Sequence, residues 1–345
     1  MSIVIVRIEE FLKHAEVTPV IDVRSPSEYE QGHIPGAVNI PVFEDKEREA
    51  VGIMYKKEGR EQAIMEGLRQ VGPSLASKLQ RALDTAKDGK ILVHCWRGGM
   101  RSESMAWLFS LAGLEVRVLE DGYKAYRRHV LSSLSGKMKM IVLGGMTGSS
   151  KTHILRHLKT MGEQVIDLEA LACHKGSAFG ALGQPAQPKT EHFSNLLFTE
   201  WMKLDKTKPV WVEDESRNIG TVFIPDEFYL NMQDSRTIVI EMDVKTRLPR
   251  LISEYASYPP EELKESIMRI SKRLGGDNTQ MALEAVDKGN ISEAIVISLN
   301  YYDKAYQFGL KKKNSKNLIY VRTATDDIRN NALMILDAAR NIQWQ

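Results

Sequence analysis

The chain has 345 residues, 43% of them hydrophobic and 27% charged, with a formal net charge of +2 at pH 7. That length exceeds what one small core serves and predicts two domains, and no apolar run is long enough to cross a bilayer, so a membrane protein is not expected. Two cysteines, Cys95 and Cys173, make no disulfide framework, and so slight a positive balance leaves any nucleic-acid partner to local basic patches.

The N-terminal stretch Met1-Ser2-Ile3-Val4-Ile5-Val6-Arg7 lacks the basic region and cleavage site of a secretory signal. With the cysteine usage, this predicts a cytoplasmic protein. Val20-Ile21-Asp22-Val23 reads as a buried strand, and Ser25-Pro26 opens a helix with a serine cap and a proline in its first turn. His33-Ile34-Pro35-Gly36-Ala37 is a turn. The spacing then predicts a strand over 91–94, a helix over 102–112, a strand over 116–119 and a helix from Tyr123, an α/β unit with a parallel sheet.

Between the 91–94 strand and its helix lies Cys95-Trp96-Arg97-Gly98-Gly99-Met100-Arg101-Ser102. Backbone amides of such a loop and the positive end of the following helix favour a thiolate and hold an anion against sulfur. Cys95 is therefore the expected nucleophile. A cysteine buried inertly in the core is the plain alternative.

Ser132-Ser133-Leu134-Ser135-Gly136-Lys137 is the best linker, giving domains at 1–136 and 137–345. The second half restarts with an apolar strand, Met140-Ile141-Val142-Leu143, that runs into Gly144-Gly145-Met146-Thr147-Gly148-Ser149-Ser150-Lys151-Thr152. Strand, glycine-rich loop and helix give a P-loop context, in which Gly145, Thr147, Gly148, Ser149 and Ser150 wrap a diphosphate, Lys151 reaches its outer oxygens and Thr152 can hold a magnesium ion. Ser150 stands where the motif has its second glycine. The strand Pro209-Val210-Trp211-Val212 ends in Glu213-Asp214-Glu215, carboxylates placed to orient such a metal or to cap the next segment. Strands at 164–168, 236–242 and 318–322 extend the sheet, and 259–308 reads as a helical insertion broken at Gly275-Gly276.

Taken together these residues resemble the tRNA 2-selenouridine synthase family, a rhodanese-like domain with a parallel sheet followed by a P-loop NTPase-like α/β domain. The resemblance rests on Asp22 to Tyr29, His33 to Ala37, Val51-Gly52-Ile53-Met54-Tyr55-Lys56-Lys57, the Cys95 to Ser102 loop, and Gly122 to Arg127. The P-loop, His174 to Gly180 and Glu213 to Gly220 continue it. The resemblance implies replacement of sulfur by selenium in the wobble 2-thiouridine of tRNA, first by S-geranylation from geranyl diphosphate and then by selenation from selenophosphate. On that expectation the P-loop takes geranyl diphosphate, and the Cys95 loop takes selenophosphate or a Cys95 perselenide, with Arg97 and Arg101 pairing with its charge. tRNA is the macromolecular partner and an enzyme supplying selenophosphate a candidate one.

Trp96, Lys124, Arg127, Arg128 and Arg217 are the expected tRNA contacts, with the tract Lys311-Lys312-Lys313-Asn314-Ser315-Lys316 a further candidate. A geranyl chain needs an apolar pocket near Lys151, for which Phe179, Leu182, Phe193, Leu196, Leu197 and Trp201 are candidates. His174 and His192 lack partners at metal-binding spacing, so no structural metal, zinc included, and no haem or flavin is expected. Phe193-Ser194-Asn195 suggests no chemistry. Cys173 reads as filler, with a resolving thiol the alternative. Nothing in the sequence fixes an oligomeric state.

Cys95 to Arg101 is also C-x5-R, a Cys-dependent phosphatase signature, which makes a phosphatase fused to a kinase-like domain one rival. That reaction needs a carboxylic general acid, and no loop clearly supplies one. A rhodanese-type sulfurtransferase fused to an ATP-using P-loop domain and a nucleotide-sensing switch with an inert Cys95 are the others.

Overall fold

The Val- and Ile-rich runs do become strands, and they fall into two separate parallel sheets. The computed structural model describes residues 3–344. The chain forms two units: one runs to Ser133 and includes Glu191–Thr199, and the other holds Leu134–Thr190 and everything from Glu200 on. A single break at 136 has no counterpart for Glu191–Thr199. That segment is the middle of one uninterrupted helix, Thr190–Met202, so no glycine or proline marks it in the sequence.

In the first unit the strands are β1 (Ile3–Val6), β2 (Val20–Asp22), β3 (Val38–Asn39), β4 (Lys90–His94) and β5 (Glu115–Leu119). Their order across the sheet is β1-β5-β4-β2-β3, every pairing parallel. Parallel strands are covered on both faces, which is why Ile21, Ile91, Leu92, Val93 and Val116 are each almost wholly buried. Met105, Ala106 and Phe109, on one side of the helix Met100–Leu111, join Ile91, Val93 and Val118 in the core. Truncating any one of the large members to alanine should cost about 2–5 kcal/mol. Central β4 ends at His94, so the sheet's carboxyl edge carries Cys95. Helices Asp45–Lys57, Arg60–Val71 and Leu75–Thr85, which the sequence reading did not define, lie between β3 and β4.

The second unit contains β6 (Met140–Gly145), β7 (Gln164–Ile166), β8 (Val210–Glu213), β9 (Asn218–Ile219), β10 (Val222–Phe223), β11 (Arg236–Met242) and β12 (Leu318–Thr323). Its main sheet is again entirely parallel, in the order β12-β11-β6-β8-β7, with β9 and β10 a separate antiparallel pair. The strand expected over 164–168 stops at Ile166, because the Asp167 side chain accepts from the Ala170 amide and starts the helix Leu168–Ala172. Central β6 delivers the glycine-rich loop to the carboxyl edge, where ligands of parallel sheets bind. Helices Pro260–Arg269, Ser271–Leu274, Gly276–Asp287 and Ile291–Leu310 form the insertion, with an apolar cluster that includes Leu263, Ile267, Ala282 and Leu299. Among the described residues no helix is long and apolar enough to cross a membrane.

Candidate active site

The Cys95 loop is shaped by backbone contacts to the start of the helix Gly122–Leu134. The Tyr123 amide donates to the Cys95 carbonyl at 2.7 Å and the Lys124 amide to that of Trp96 at 3.0 Å. Gly98 sits at φ +66°, and a Cβ there or on Gly122 would collide with the backbone of the opposing segment. Two glycines are therefore required where the loop and the helix start meet. The Cys95 sulfur lies 3.3 Å from Ser102 Oγ, and Ser102 donates to the Gly99 carbonyl at 2.9 Å. Cys95 is only 3% exposed, yet it forms part of the wall of a cavity of about 1340 Å³. Trp96, Arg97 and Arg101 line the same cavity.

Arg101 is not free. Its guanidinium donates to Glu28 at 2.6 Å, and Glu28 closes the capping box of the helix Pro26–Gln31 with Ser25. Burial opposes charge on Glu28, but the Arg101 bond outweighs it and keeps the carboxyl below the ordinary carboxylate range. An anion on the Cys95 loop must therefore share Arg101 with Glu28 or displace it. Exposed Arg97 has no such competitor among the described residues.

Beneath the loop lies a buried network. Arg24, 1% exposed, donates to both oxygens of fully buried Asp22 and to the Gly32 carbonyl, and its guanidinium carbon lies 3.7 Å from the centre of the Tyr123 ring. Burial disfavours the Asp22 charge, but His94 and the bonded Arg24 hold its carboxyl below the ordinary range. His94 is also fully buried, and burial lowers its pKa while the nearby Asp22 opposes that shift. Asn195 completes the support: it donates to the His33 carbonyl and to Tyr123 Oη, and Arg127 donates to its side-chain oxygen. The role that Phe193-Ser194-Asn195 lacked in the sequence is thus a buried clamp on the first unit.

The P-loop is the second site. Lys151 curls back onto the Gly145 carbonyl at 2.8 Å, and Thr152 donates to Glu169 at 2.7 Å. Ser149 Oγ is buried with no hydrogen-bond partner. Ser150 adopts the left-handed conformation, φ +63°, that the motif's glycine would supply. Its side chain donates to Asp326 at 2.6 Å, and Asp326 in turn accepts from Arg250, so the extra hydroxyl anchors the strained position. Gly145, Thr147, Gly148, Ser150, Lys151 and Thr152 line a cavity of about 960 Å³.

The three carboxylates after β8 have three different fates. Glu213 is fully buried; one oxygen accepts from the Leu168 amide and the other has no partner, so burial, with Asp167 and Glu169 nearby, raises its pKa well above the ordinary value. Asp214 pairs with Lys313 at 2.5 Å and accepts from Tyr306, whose hydroxyl also accepts from the Gly145 amide. Glu215 lines the P-loop cavity and, buried beside Glu169, also has a strongly raised pKa. Glu169 and Tyr306 had no site role in the sequence reading, and Lys313 entered it only as part of a candidate RNA-contacting tract, not as the partner of Asp214. Glu169 and Tyr306 carry no local motif, and Lys313 sits in what reads as a solvated lysine run.

The expected RNA contacts divide. Lys124 is exposed, while Arg128 pairs with Asp121 and Arg217 with Asp226 at the surface. Arg127 is tied to Asn195 and Glu191, and Lys313 to Asp214. Of the six candidates for a geranyl pocket, none lines the P-loop cavity. Phe179 and Leu182 pack in the insertion cluster, Trp201 packs on Phe228, and Phe193, Leu196 and Leu197 belong to the first unit. Cys173 caps the helix Leu168–Ala172 and lines the P-loop cavity. Among the described residues no group of three or more His, Cys, Asp or Glu side chains is arranged to hold a metal.

A cysteine at the carboxyl end of a parallel sheet, followed on the same chain by a lysine-bearing P-loop, defines a rhodanese-like domain joined to a P-loop domain. Family models agree: a rhodanese-like domain matches residues 7–129, and the tRNA 2-selenouridine synthase AAA domain matches residues 138–334. The tRNA 2-selenouridine synthase of Nitrosomonas europaea is 35% identical over 311 residues, covering 78% of this chain and 80% of its own. Those of Shewanella pealeana (34% identity; 87% and 91% covered) and Bordetella petrii (34%; 86% and 88%) match as broadly. The chain belongs to the tRNA 2-selenouridine synthase family.

Proposed function

We propose that this protein exchanges sulfur for selenium in the wobble 2-thiouridine of tRNA in two steps, one at each loop. The observation that carries this reading is that one chain presents two glycine-bearing loops at the carboxyl ends of central parallel strands, of which only the first bears a cysteine. In the first step the thiocarbonyl sulfur attacks the first carbon of geranyl diphosphate, an S–C bond forms, and the C–O bond to diphosphate breaks. The P-loop amides and Lys151 meet the departing charge. Lys151 must leave the Gly145 carbonyl to do so. A magnesium ion fits best at Thr152 and Glu169, since Asp214 is already paired with Lys313 and Glu213 is buried with a raised pKa. There it would supply further neutralisation of the diphosphate.

In the second step the Cys95 loop holds selenophosphate. Selenium attacks C2 of the base, the C2–S bond breaks, and geranylthiolate leaves and takes a proton; the Cys95 thiolate then takes the phosphoryl group as the P–Se bond breaks, leaving selenium on C2, and water releases that group from sulfur as phosphate. Arg97 pairs with the donor's charge, and Arg101 joins it by exchanging Glu28 for the donor. Trp96, half-buried at the cavity wall, and Lys124 and Arg128 offer an aromatic face and positive charge to an unstacked nucleotide.

The phosphatase reading is weaker on chemical grounds. Glu28 and Asp45 line the Cys95 cavity, but Arg101 holds Glu28, and the Ser27 hydrogen bonds hold Asp45, below the ordinary carboxylate range. Both are ionised at neutral pH and make poor general acids. Mass spectrometry of tRNA nucleosides from cells lacking and regaining the gene tests the proposal. Restoration of 2-selenouridine supports it, and an unchanged set of 2-thio-, geranylthio- and selenouridine defeats it.

A further inference from the structure

The cavity beside Cys95 has walls that anion chemistry does not explain. Besides the loop it is lined by apolar side chains from two helices, Asp45–Lys57 and Arg60–Val71, and from the helix that follows Cys95. No residue of Asp45–Lys57 is fully buried, and Ile53, Leu68, Met100 and Trp107 stand at the cavity between 46% and 62% exposed. Contiguous exposed apolar surface of this kind marks a ligand site. Gly52, in the middle of Asp45–Lys57, also lines it. A glycine there costs about 1 kcal/mol relative to alanine, and the only side chain within reach of an added Cβ is the tip of Arg48. Packing within the protein does not demand Gly52, whereas an occupant of the cavity would.

We infer that this cavity receives the isoprenoid chain of the S-prenylated tRNA while Cys95 and its loop act at C2 of the same base. The inference deepens the two-step reading above and rests on it. The apolar walls suit an alkyl chain, the sulfur-bearing loop forms part of the same wall, and Arg48, Lys56 and Arg97, which also line the cavity, supply positive charge suited to a polynucleotide's phosphates. The P-loop cavity has a more mixed wall: the six candidates for a chain pocket near Lys151 lie elsewhere, and Arg156, Glu169, Glu254 and Lys312 stand among its apolar residues Leu251 and Leu310. The chain enters after transfer, as part of the nucleoside, and sets the selectivity of selenation. This also assigns a purpose to Val51-Gly52-Ile53-Met54-Tyr55-Lys56-Lys57, a stretch that neither loop explains.

The test uses the full-length protein, selenophosphate and two tRNAs, one carrying a geranyl and the other a methyl group on the wobble sulfur. Wild-type protein is expected to prefer the geranyl substrate in kcat/KM. Gly52→Leu, which fills the cavity with a good helix former, should reduce that preference at least tenfold through the KM of the geranyl tRNA, with a melting temperature at or above that of the wild type. Leu68→Glu, at an exposed position that cannot threaten folding, should act in the same direction by about threefold. An unchanged preference in both variants overturns the assignment while leaving the two-step reading intact. Inhibition of wild-type selenation by free geranyl diphosphate, relieved in Gly52→Leu, also overturns it by giving the cavity to the diphosphate. Wild-type protein that selenates neither substrate defeats the two-step reading itself.

Discussion

The two units solve the same construction problem with opposite chemistry. Each builds a five-stranded parallel sheet and places a glycine-bearing loop at the carboxyl end of a central strand, β4 in one and β6 in the other. In the first, the loop carries a cysteine, its Arg101 is paired with Glu28, and the cavity walls are largely apolar. In the second, the loop carries no nucleophile, its lysine is parked on its own backbone, and the cavity is ringed by fixed ion pairs such as Lys175 with Glu254 and Lys313 with Asp214. A shared fold edge thus supplies only the place of a loop. On the two-step reading the side chains then decide whether its anion is a group to be transferred or one to be released.

The largest expected effects separate those roles. Cys95→Ala should lower selenation of geranylated tRNA by at least ~10³-fold while geranylation survives. Lys151→Ala should do the reverse, reducing geranylation by about 10²–10³-fold, the usual cost of one charge-stabilising donor, with selenation of pre-geranylated tRNA retained. Nucleoside mass spectrometry after single-turnover reactions reads both. Loss of both steps in either variant would break the division of labour between the loops.

Buried ion pairs sharpen the comparison at the level of stability. Arg24→Met leaves Asp22 charged and unpaired in the first unit, and Lys313→Met does the same to Asp214 in the second. Each should destabilise its own unit by about 3 kcal/mol or more, because removing one partner strands the other. Chemical denaturation followed by fluorescence should show one transition shifted in each variant. A shift below ~1 kcal/mol would mean that the stranded carboxylate had found water.

Much of this was legible in the sequence, and the misses share a cause. Ile91 to Val93 and Met140 to Leu143 announce themselves as buried parallel strands because uniform apolar runs have few other uses, and the glycines after them fix where the loops lie. The helix Asp45–Lys57 stayed hidden because none of its residues is fully buried, so it carries no strong amphipathic signature. Tyr306 and Lys313 contact Gly145 and Asp214 across separations in sequence of more than ninety residues, and no local pattern encodes such a meeting. Arg127 looked like a surface cation because its neighbours are basic; its acceptor, Asn195, lies on a distant helix.

The smallest expected effect concerns pH and belongs to the second unit alone. Glu213 has an ordinary carboxyl pKa of 4.5 when unfolded and a value well above that when folded, chiefly from burial, with Asp167 and Glu169 adding repulsion. A folded-state pKa raised in this way makes its contribution in full below pH 4.5. That contribution is lost as pH rises toward the folded value, because the unfolded chain releases the proton while the folded one must keep it or bury a charge. Glu213→Gln imitates the protonated acid and keeps an oxygen for the Leu168 amide. Variant and wild type should therefore unfold alike near pH 5, and the variant should be the more stable near pH 8 by on the order of 1 kcal/mol. The first unit offers no matching case: Asp22 and Glu28 are held below the ordinary range, so their contributions are present above the unfolded carboxylate pKa and lost as pH falls. Parallel denaturation curves for the two proteins from pH 5 to 8 would show that Glu213 is charged in the folded state, and the electrostatic contrast between the two units would then lose one of its supports.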